Sequence, residues 1–410
     1  MNRTDISYQD YMYDFMKEIC NKIGPRIGWS ENERKCAYMI RNELKKYCDE
    51  VEIEEFNYNR SFYLMFKIPL ILNIVGILSY LLVLFGINVL TLYFNITSVA
   101  CFSLALFFLL GQFIFNKDVM GIFAKSGESQ NVIGKIKAKK SANRILIFSG
   151  HHDSTWHFTL MDKLGEKFLI FTYITIFFLF TTFIVSIINL IWYILTNNYN
   201  LVLDIITRSI YIGSIPFIAA FSLFMIDKSR ETLGANDNLS GVVVMLGVAK
   251  YLAEKGRCNN IEVWCVSFGS EEGGLHGSKA FVKKHLNELD KAILINADTI
   301  GHGKIRIAKK ELLISHDKRV IELIDTAANN LGIEHSIMGS GGGRTDAMSF
   351  TERGLLAATM IGLEDSKKMP PDYHTIRDIP ENLDPTLLKQ VLEIDLEIIH
   401  LLDSGKFKID

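Results

Sequence analysis

The stretch Arg144-Ile145-Leu146-Ile147-Phe148-Ser149-Gly150-His151-His152-Asp153 runs through consecutive large apolar residues and ends in imidazoles and a carboxylate. A short apolar run bounded by polar residues reads as a strand buried on both faces, with its polar followers at the carboxyl end. The pattern recurs. Residues 261–268 (IEVWCVSF) are followed by Glu271-Glu272, residues 291–296 (KAILIN) by Asp298, and residues 355–361 form a further apolar run. Residues 241–252 and 276–285 fit helices between these strands. Buried strands alternating with helices predict an α/β sheet covered on both faces, and in such sheets ligands collect beyond the carboxyl ends of the strands.

Outward from this core, two long interruptions carry no Asp, Glu, Lys or Arg. One runs from Ile68 to Asn116; the other runs from Phe168 to Leu203 and, after Asp204 and Arg208, resumes over Ser209 to Ile226. A membrane helix needs about 20 apolar residues, so each interruption holds two spans. The first pair is placed near 68–86 and 97–115, joined by a loop around Thr91 to Asn95; the second pair turns at Asn197, Asn198 and Asn200. Asp204 and Arg208, four apart, are positioned to pair on one helix face. The expected domains are therefore 1–66, the N-terminal part of a catalytic domain; 67–116, a first transmembrane hairpin; 117–167, the first ligand turn; 168–226, a second hairpin; and 227–410, the remainder.

The whole-chain values agree with partial burial in lipid: 49% hydrophobic residues and a mean hydropathy of +0.19. The 44 basic and 46 acidic residues leave a charge of −2, which excludes a basic nucleic-acid-binding face. The six cysteines form no C-x-x-C pair, so neither a disulfide framework nor a thiolate zinc knuckle is expected. Residues 1–20 lack the apolar core of a signal peptide. Arg60, Lys67, Lys117, Lys125, Lys163, Lys167, Lys228 and Arg230 flank the spans on the side away from the turns. By the positive-inside rule the expectation is a multi-pass membrane protein with both termini and everything outside the hairpins on the cytoplasmic side.

Histidines and carboxylates at strand ends suit a divalent transition metal better than calcium or an iron–sulfur cluster. The candidates are His151, Asp153, Asp237 ahead of the 241–252 helix, Glu271, Glu272, Asp298 and His374. Taken in order, the sequence resembles the M28 family of metallo-aminopeptidases through Ile23-Gly24-Pro25-Arg26, His151-x-Asp153, Asp237-x-x-Ser240-Gly241, Glu271-Glu272-x-Gly274-Leu275-x-Gly277-Ser278, Asp298 and Tyr373-His374-Thr375. The resemblance implies a mixed central sheet flanked by helices, as in zinc-dependent exopeptidases, and two zinc ions acting on a peptide substrate. It implies Asp237 as the bridge, His151 and Asp298 on one metal, and Glu272 and His374 on the other. Glu271 then matches the general base, and Asp153 the carboxylate that orients His151. It also implies a cis Asp237–Asn238 peptide. Glutaminyl cyclases share these ligand positions, and a catalytically silent membrane scaffold of the same fold is the remaining alternative.

Three features depart from the family pattern. His152 reads as a packing or hydrogen-bonding imidazole. Gly339 to Gly343 with Arg344-Thr345-Asp346-Ala347 resembles a substrate-side loop in which Ala347 stands where the family often has His. The two hairpins are the third, and His157, His276 and His302 receive no role.

Overall fold

The computed structural model describes residues 6–82, 88–115, 117–198, 200–339 and 343–409. It divides into two units. One comprises Met1–Tyr58, Gly127–His157 and Lys228–Asp410; the other comprises Asn59–Ser126 and Phe158–Asp227.

The first unit is built on strands β1 (Glu50–Asn59), β2 (Ser126–Ile136), β3 (Arg144–His151), β4 (Trp156–His157), β5 (Asp227–Glu231) and β6 (Ile261–Phe268). It continues with β7 (Ile293–Asp298), β8 (Lys304–Glu311), β9 (Ile314–Ser315), β10 (His335–Gly339) and β11 (Leu356–Leu363). Nine strands form one sheet in the order β1-β2-β6-β3-β7-β11-β8-β10, with β9 on β8. The sheet is mixed, as expected: β3 is parallel to β6 and β7, β11 to β7 and β10 to β8, whereas β2–β6, β11–β8 and β8–β9 are antiparallel.

Side chains alternate across a strand, and the central strands use both faces. Leu146 and Phe148 of β3 pack with Met12, Ile40, Val243, Ile324 and Leu392, from the helices on one side. Ile147, between them, packs with Trp264, Phe281 and Phe350 on the other. All three β3 side chains are at most 1% exposed, and truncating one to alanine costs about 2 to 5 kcal/mol. The expected helices at 241–252 and 276–285 appear as Ser240–Lys255 and His276–His285. His151 and Asp298, expected just past their strands, are the last residues of β3 and β7.

The second unit contains four helices long and apolar enough to cross a bilayer, spanning Phe62–Leu82, Leu90–Gln112, Lys167–Thr196 and Leu201–Leu223. Two sequence expectations need correction. Thr91 to Asn95 are not a loop but lie within the helix Asn88–Leu109. The segment has no Gly or Pro to break a helix, and its polar side chain is satisfied locally, Asn95 Nδ2 donating to the Thr91 carbonyl at 3.0 Å. The second span accordingly begins earlier than residue 97, and the end of the first, placed at residue 86, lies outside the described residues.

The four helices reverse the pattern of a water-soluble bundle. Ile71, Leu78, Phe107, Ile170, Phe177, Ile191, Leu195, Ile205 and Ile212 are exposed, whereas Asn73, Ser98, Thr175, Thr182, Asp204, Thr207 and Ser214 are buried. The buried hydroxyls of Thr175, Thr182 and Ser214 bond to carbonyls three or four residues back, as do the exposed hydroxyls of Thr97 and Ser209, so these groups are satisfied within their own helices. Asp204 and Arg208 form the expected i,i+4 ion pair, and Tyr80 Oη donates to Asp204 at 2.9 Å.

Candidate metal centre

Parallel pairing brings the chemistry together. In register, His151 of β3 lies opposite Phe268 of β6, Ser149 lies opposite Asn296 of β7, and β3 sits between the two strands. The turn after Phe268, the end of β3 and the end of β7 therefore share one edge. Close approach of the helix Ser240–Lys255 completes it. A Cβ on Gly150 would come within 2.7 Å of the Gly241 backbone, and one on Gly241 within 2.2 Å of the Ala297 carbonyl oxygen. Only glycines let this helix bring Asp237 onto the strand ends.

Two trios result, His151 with Glu271 and Asp298, and Asp237 with Glu272 and His374. Within each, one ligand atom per residue lies within 4.8 Å of the others. Asp237 reaches both: its Oδ1 is 3.1 Å from His151 Nε2 and its Oδ2 is 3.0 Å from His374 Nε2. Glu272 Oε2 is 3.0 Å from His374 Nε2, and Glu271 Oε2 is 3.8 Å from His151 Nε2. All six residues are at most 9% exposed.

The electrostatics show what this donor set fits. Burial, then neighbouring negative charge, pushes the Glu272 carboxyl up to about 7 and those of Glu271 and Asp298 well above the usual range. Burial also opposes charge on His374, but Glu272 and Asp237 outweigh it and raise the imidazole to about 10. His151 is raised for the same reason, by Glu271, Asp153 and Asp237. Asp237 is held low against burial by its two imidazoles. Mixed nitrogen and carboxylate donors, packed this closely away from water, match the ligand chemistry of zinc.

Each ligand loop is tied down by groups with no place in the trios. Asp378 accepts the backbone amides of Asn236 and Asp237 at 2.6 and 3.0 Å. Asn238 Nδ2 donates to the Ala297 carbonyl at 2.9 Å, while its Oδ1 accepts from Gly241 at 3.0 Å. The Asp237–Asn238 peptide is cis, as the family resemblance implied. Arg26, fully buried, donates to the carbonyls of His152 at 2.7 Å, Leu233 at 2.6 Å and Gly234 at 3.0 Å, linking the His151 turn to the segment before Asp237. Asp153 Oδ1 stands 3.3 Å from His151 Nδ1, and the two Asp153 oxygens accept the amides of Glu271 and Glu272 at 3.0 and 3.1 Å.

Sequence reasoning gave no role to Asp378, and it read Arg26 only as part of a motif. Two further buried carboxylates escaped notice. Glu33 bonds to the turn before Glu271, and Glu311 accepts the Thr345 amide and hydroxyl, each at 2.8 Å. Neither carried a usable signal, because Glu33 stands in Glu31-Asn32-Glu33-Arg34-Lys35 and Glu311 follows Lys309-Lys310, contexts that read as solvated. His152 Nδ1 pairs with Ser267 Oγ at 2.9 Å, and burial lowers this imidazole to about 3, in keeping with a neutral hydrogen-bonding role. His276 stacks on Tyr58 with ring centroids 4.3 Å apart, and His157 is fully buried. Of the glycine-rich loop, residues 340–342 lie outside the described residues; Asp346 and Ala347 beyond it are buried.

A mixed sheet thus gathers imidazoles and carboxylates at its parallel strand ends, a donor set suited to a divalent metal. Residues 220–399 match the model of Peptidase family M28. That stretch contains Asp237, Glu271, Glu272, Asp298 and His374, with His151 upstream of it. Among curated proteins, Aminopeptidase YwaD of Bacillus subtilis (strain 168) is 33% identical over 163 residues, 38% of this chain and 35% of that protein. The chain thus spans about a third of the length of the curated relative it matches. Among solved structures, a zinc aminopeptidase from Bacillus subtilis superposes with a TM-score of 0.56 at 17% identity, covering 96% of this chain and 95% of that one. A glutaminyl cyclase from Tannerella forsythia gives 0.55 at 17%, covering 96% and 98%. At these identities the solved structures establish the fold.

Proposed function

We propose that the protein is a membrane-embedded zinc metallopeptidase, an aminopeptidase that removes N-terminal residues from peptides. The observation that carries this reading is the position of Asp237, with one carboxylate oxygen toward His151 and the other toward His374. A carboxylate shared by two imidazoles suits a bridge between two zinc ions. His151 and Asp298 would hold one ion and Glu272 and His374 the other. Bound to these residues, zinc would supply a Lewis acid for the scissile carbonyl and for the attacking water. Glu271, although its side chain lies in the His151 trio, is assigned here to proton transfer and not to the metal: it would accept the water's proton and deliver it to the departing amine nitrogen. Asp153 stands beside His151 and holds the amides of Glu271 and Glu272, so that the two adjacent side chains keep separate tasks.

The peptidase domain is assigned to residues 1–66, 117–167 and 227–410, and the hairpins at 67–116 and 168–226 are assigned to the bilayer. Support comes from the outward apolar side chains and inward polar groups of the four helices. The flanking basic residues favour a cytoplasmic catalytic domain; labelling of single cysteines from each side of sealed vesicles tests that orientation.

The deciding experiment is metal analysis of detergent-purified protein together with hydrolysis of aminoacyl-nitroanilides. Two zinc ions per chain and release of nitroaniline support the aminopeptidase. One zinc ion and ring closure of an N-terminal glutamine would replace it with a cyclase, and neither metal nor turnover would leave a scaffold.

A further inference from the structure

Glu33 lies in the first turn of the helix Glu31–Leu44, far in sequence from every candidate ligand, and its side chain is fully buried. Part of its role is local. Ser30 Oγ accepts the Glu33 amide at 3.1 Å, and Glu33 Oε2 accepts the Trp29 amide at 2.6 Å, an arrangement related to a helix capping box. Its other oxygen faces a different task. Oε1 accepts the backbone amide of Ser270 at 2.9 Å and the hydroxyl of Ser129 at 2.6 Å, and it lies 3.2 Å from Ser270 Oγ.

Ser270 immediately precedes Glu271 and has a φ of +49°, in the left-handed region that non-glycine residues rarely enter. The next two amides, of Glu271 and Glu272, are taken by Asp153. Three consecutive backbone N–H groups are therefore each held by a buried carboxylate, the first from Glu33 and the next two from Asp153. The fit leaves little room for slippage, because a Cβ on Gly28 would stand 2.6 Å from Ser270 Oγ. Tyr58 Oη lies 2.9 Å from the same hydroxyl on its remaining side.

We propose that Glu33 is a positioning residue for the proposed peptidase reaction, fixing the turn at Ser270 so that Glu271 points at the attacking water while Glu272 stays on the metal. The inference rests on the functional reading above. A cap alone would require only the bond to Trp29; the bond to Ser270 carries orientation from the N-terminal segment into the active site. Misplacing a catalytic group by about 1 Å costs about 10²-fold in rate.

The test compares wild type with Glu33→Gln and Glu33→Ala in the full-length, detergent-purified protein. Glutamine is acceptable in a capping box, so Glu33→Gln can keep the cap by accepting from Trp29, which turns its NH2 donor toward the Ser270 amide. Hydrogen exchange of amides 270–272, zinc content, and kcat and KM for an aminoacyl-nitroanilide are measured. Leu396→Ala serves as a control destabilised in the core, remote in sequence from the turn. The expected result for Glu33→Gln is faster exchange at 270–272, two zinc ions retained, kcat lowered by about 10-fold to 10²-fold and KM nearly unchanged. Glu33→Ala should show the larger loss, and Leu396→Ala should leave kcat and exchange at the turn unchanged despite a lower thermal midpoint. Unchanged exchange and kcat in Glu33→Gln, or loss of zinc in proportion to activity, would overturn the proposal. If Glu33→Ala fails to fold, Glu33→Gln decides alone. If wild type turns over no peptide substrate, the functional reading fails, while exchange at 270–272 still decides whether Glu33 clamps the turn.

Discussion

Asp378 accepts the backbone amide of Asp237 at 3.0 Å, from 141 residues further along the chain. Burial, followed by repulsion from Asp237, pushes the Asp378 carboxyl up to about 7, so fixing the loop that carries the proposed bridge comes at an electrostatic cost. Replacing Asp378 with Ala frees two amides and loosens Asp237. Zinc affinity should fall about 10-fold to 100-fold, the usual effect of losing a group that supports a metal ligand, as read by competition with a chromogenic chelator.

Asp237 itself touches both trios. Asp237→Ala should therefore release both zinc ions, whereas His374→Ala should release one more readily than the other. Elemental analysis after dialysis measures this, and two ions retained by Asp237→Ala would refute the bridging assignment.

The neighbouring glutamates should separate cleanly. Glu271→Gln keeps shape and polarity but cannot accept a proton at neutral pH, so it should retain zinc and lose about 10²-fold to 10⁴-fold in kcat. Glu272→Ala should lose metal first and activity as a consequence. Parallel zinc and kcat measurements would reveal an exchange of roles.

A pH effect is expected away from the metal centre. His285 Nε2 lies 2.6 Å from Glu54 Oε1 and its Nδ1 lies 2.9 Å from Glu288, while Lys284 Nζ is 2.8 Å from the same Glu54 oxygen. Burial opposes charge on His285, but the bonds to Glu54 and Glu288 win and raise its pKa. Burial likewise opposes charge on Glu54, and His285 and Lys284 win and lower its pKa. The His285 contribution is present below the unfolded imidazole pKa and fades as pH rises through the folded value. The Glu54 contribution is present above the unfolded carboxyl pKa and fades as pH falls through the folded one. Stability from this pair should therefore be greatest between the two limits, about 1 to 2 kcal/mol for a charge-assisted bond discounted for nearby solvent. Thermal midpoints across pH should show that maximum in wild type and a flatter curve in Glu54→Gln.

In the helical unit, Tyr80→Phe removes a donor to Asp204 but leaves the Arg208 ion pair. Hydrogen bonds between membrane helices average about 0.6 kcal/mol, so the loss of stability in detergent should be small. Asp204→Leu, which removes the Arg208 ion pair together with the Tyr80 hydrogen bond, should cost considerably more by the same unfolding assay.

Much of this was legible from residue order. Ile145 to Phe148 and residues 261–268 announced buried strands because a chain covered on both faces must be apolar at every position. The uncharged runs announced four helices long and apolar enough to cross a bilayer, because such a span needs about 20 apolar residues. The loop expected at Thr91 to Asn95 failed because absence of charge does not break a helix, while a side chain bonding to its own backbone permits one to continue.

His151, Asp237, Glu271, Glu272, Asp298 and His374 could be named from sequence because each stands next to a recognisable strand, helix or turn, and local spacing is a property of the chain itself. Their division between two metals, with Glu272 beside His374, came from the family resemblance and not from spacing. Which oxygen of Asp237 faces which imidazole depends on backbone angles set by packing, as does the approach of Glu271 to His151. The supporting groups were further out of reach. Asp378, Glu33 and Arg26 act through backbone amides and carbonyls, which are the same in every residue and leave no mark on the sequence at the position they hold. Sequence by itself determined the inventory of chemistry and the elements that carry it. Only the tertiary structure decided the partners, because a hydrogen bond of about 3 Å across more than a hundred residues exists only once the sheet has brought the strand ends together.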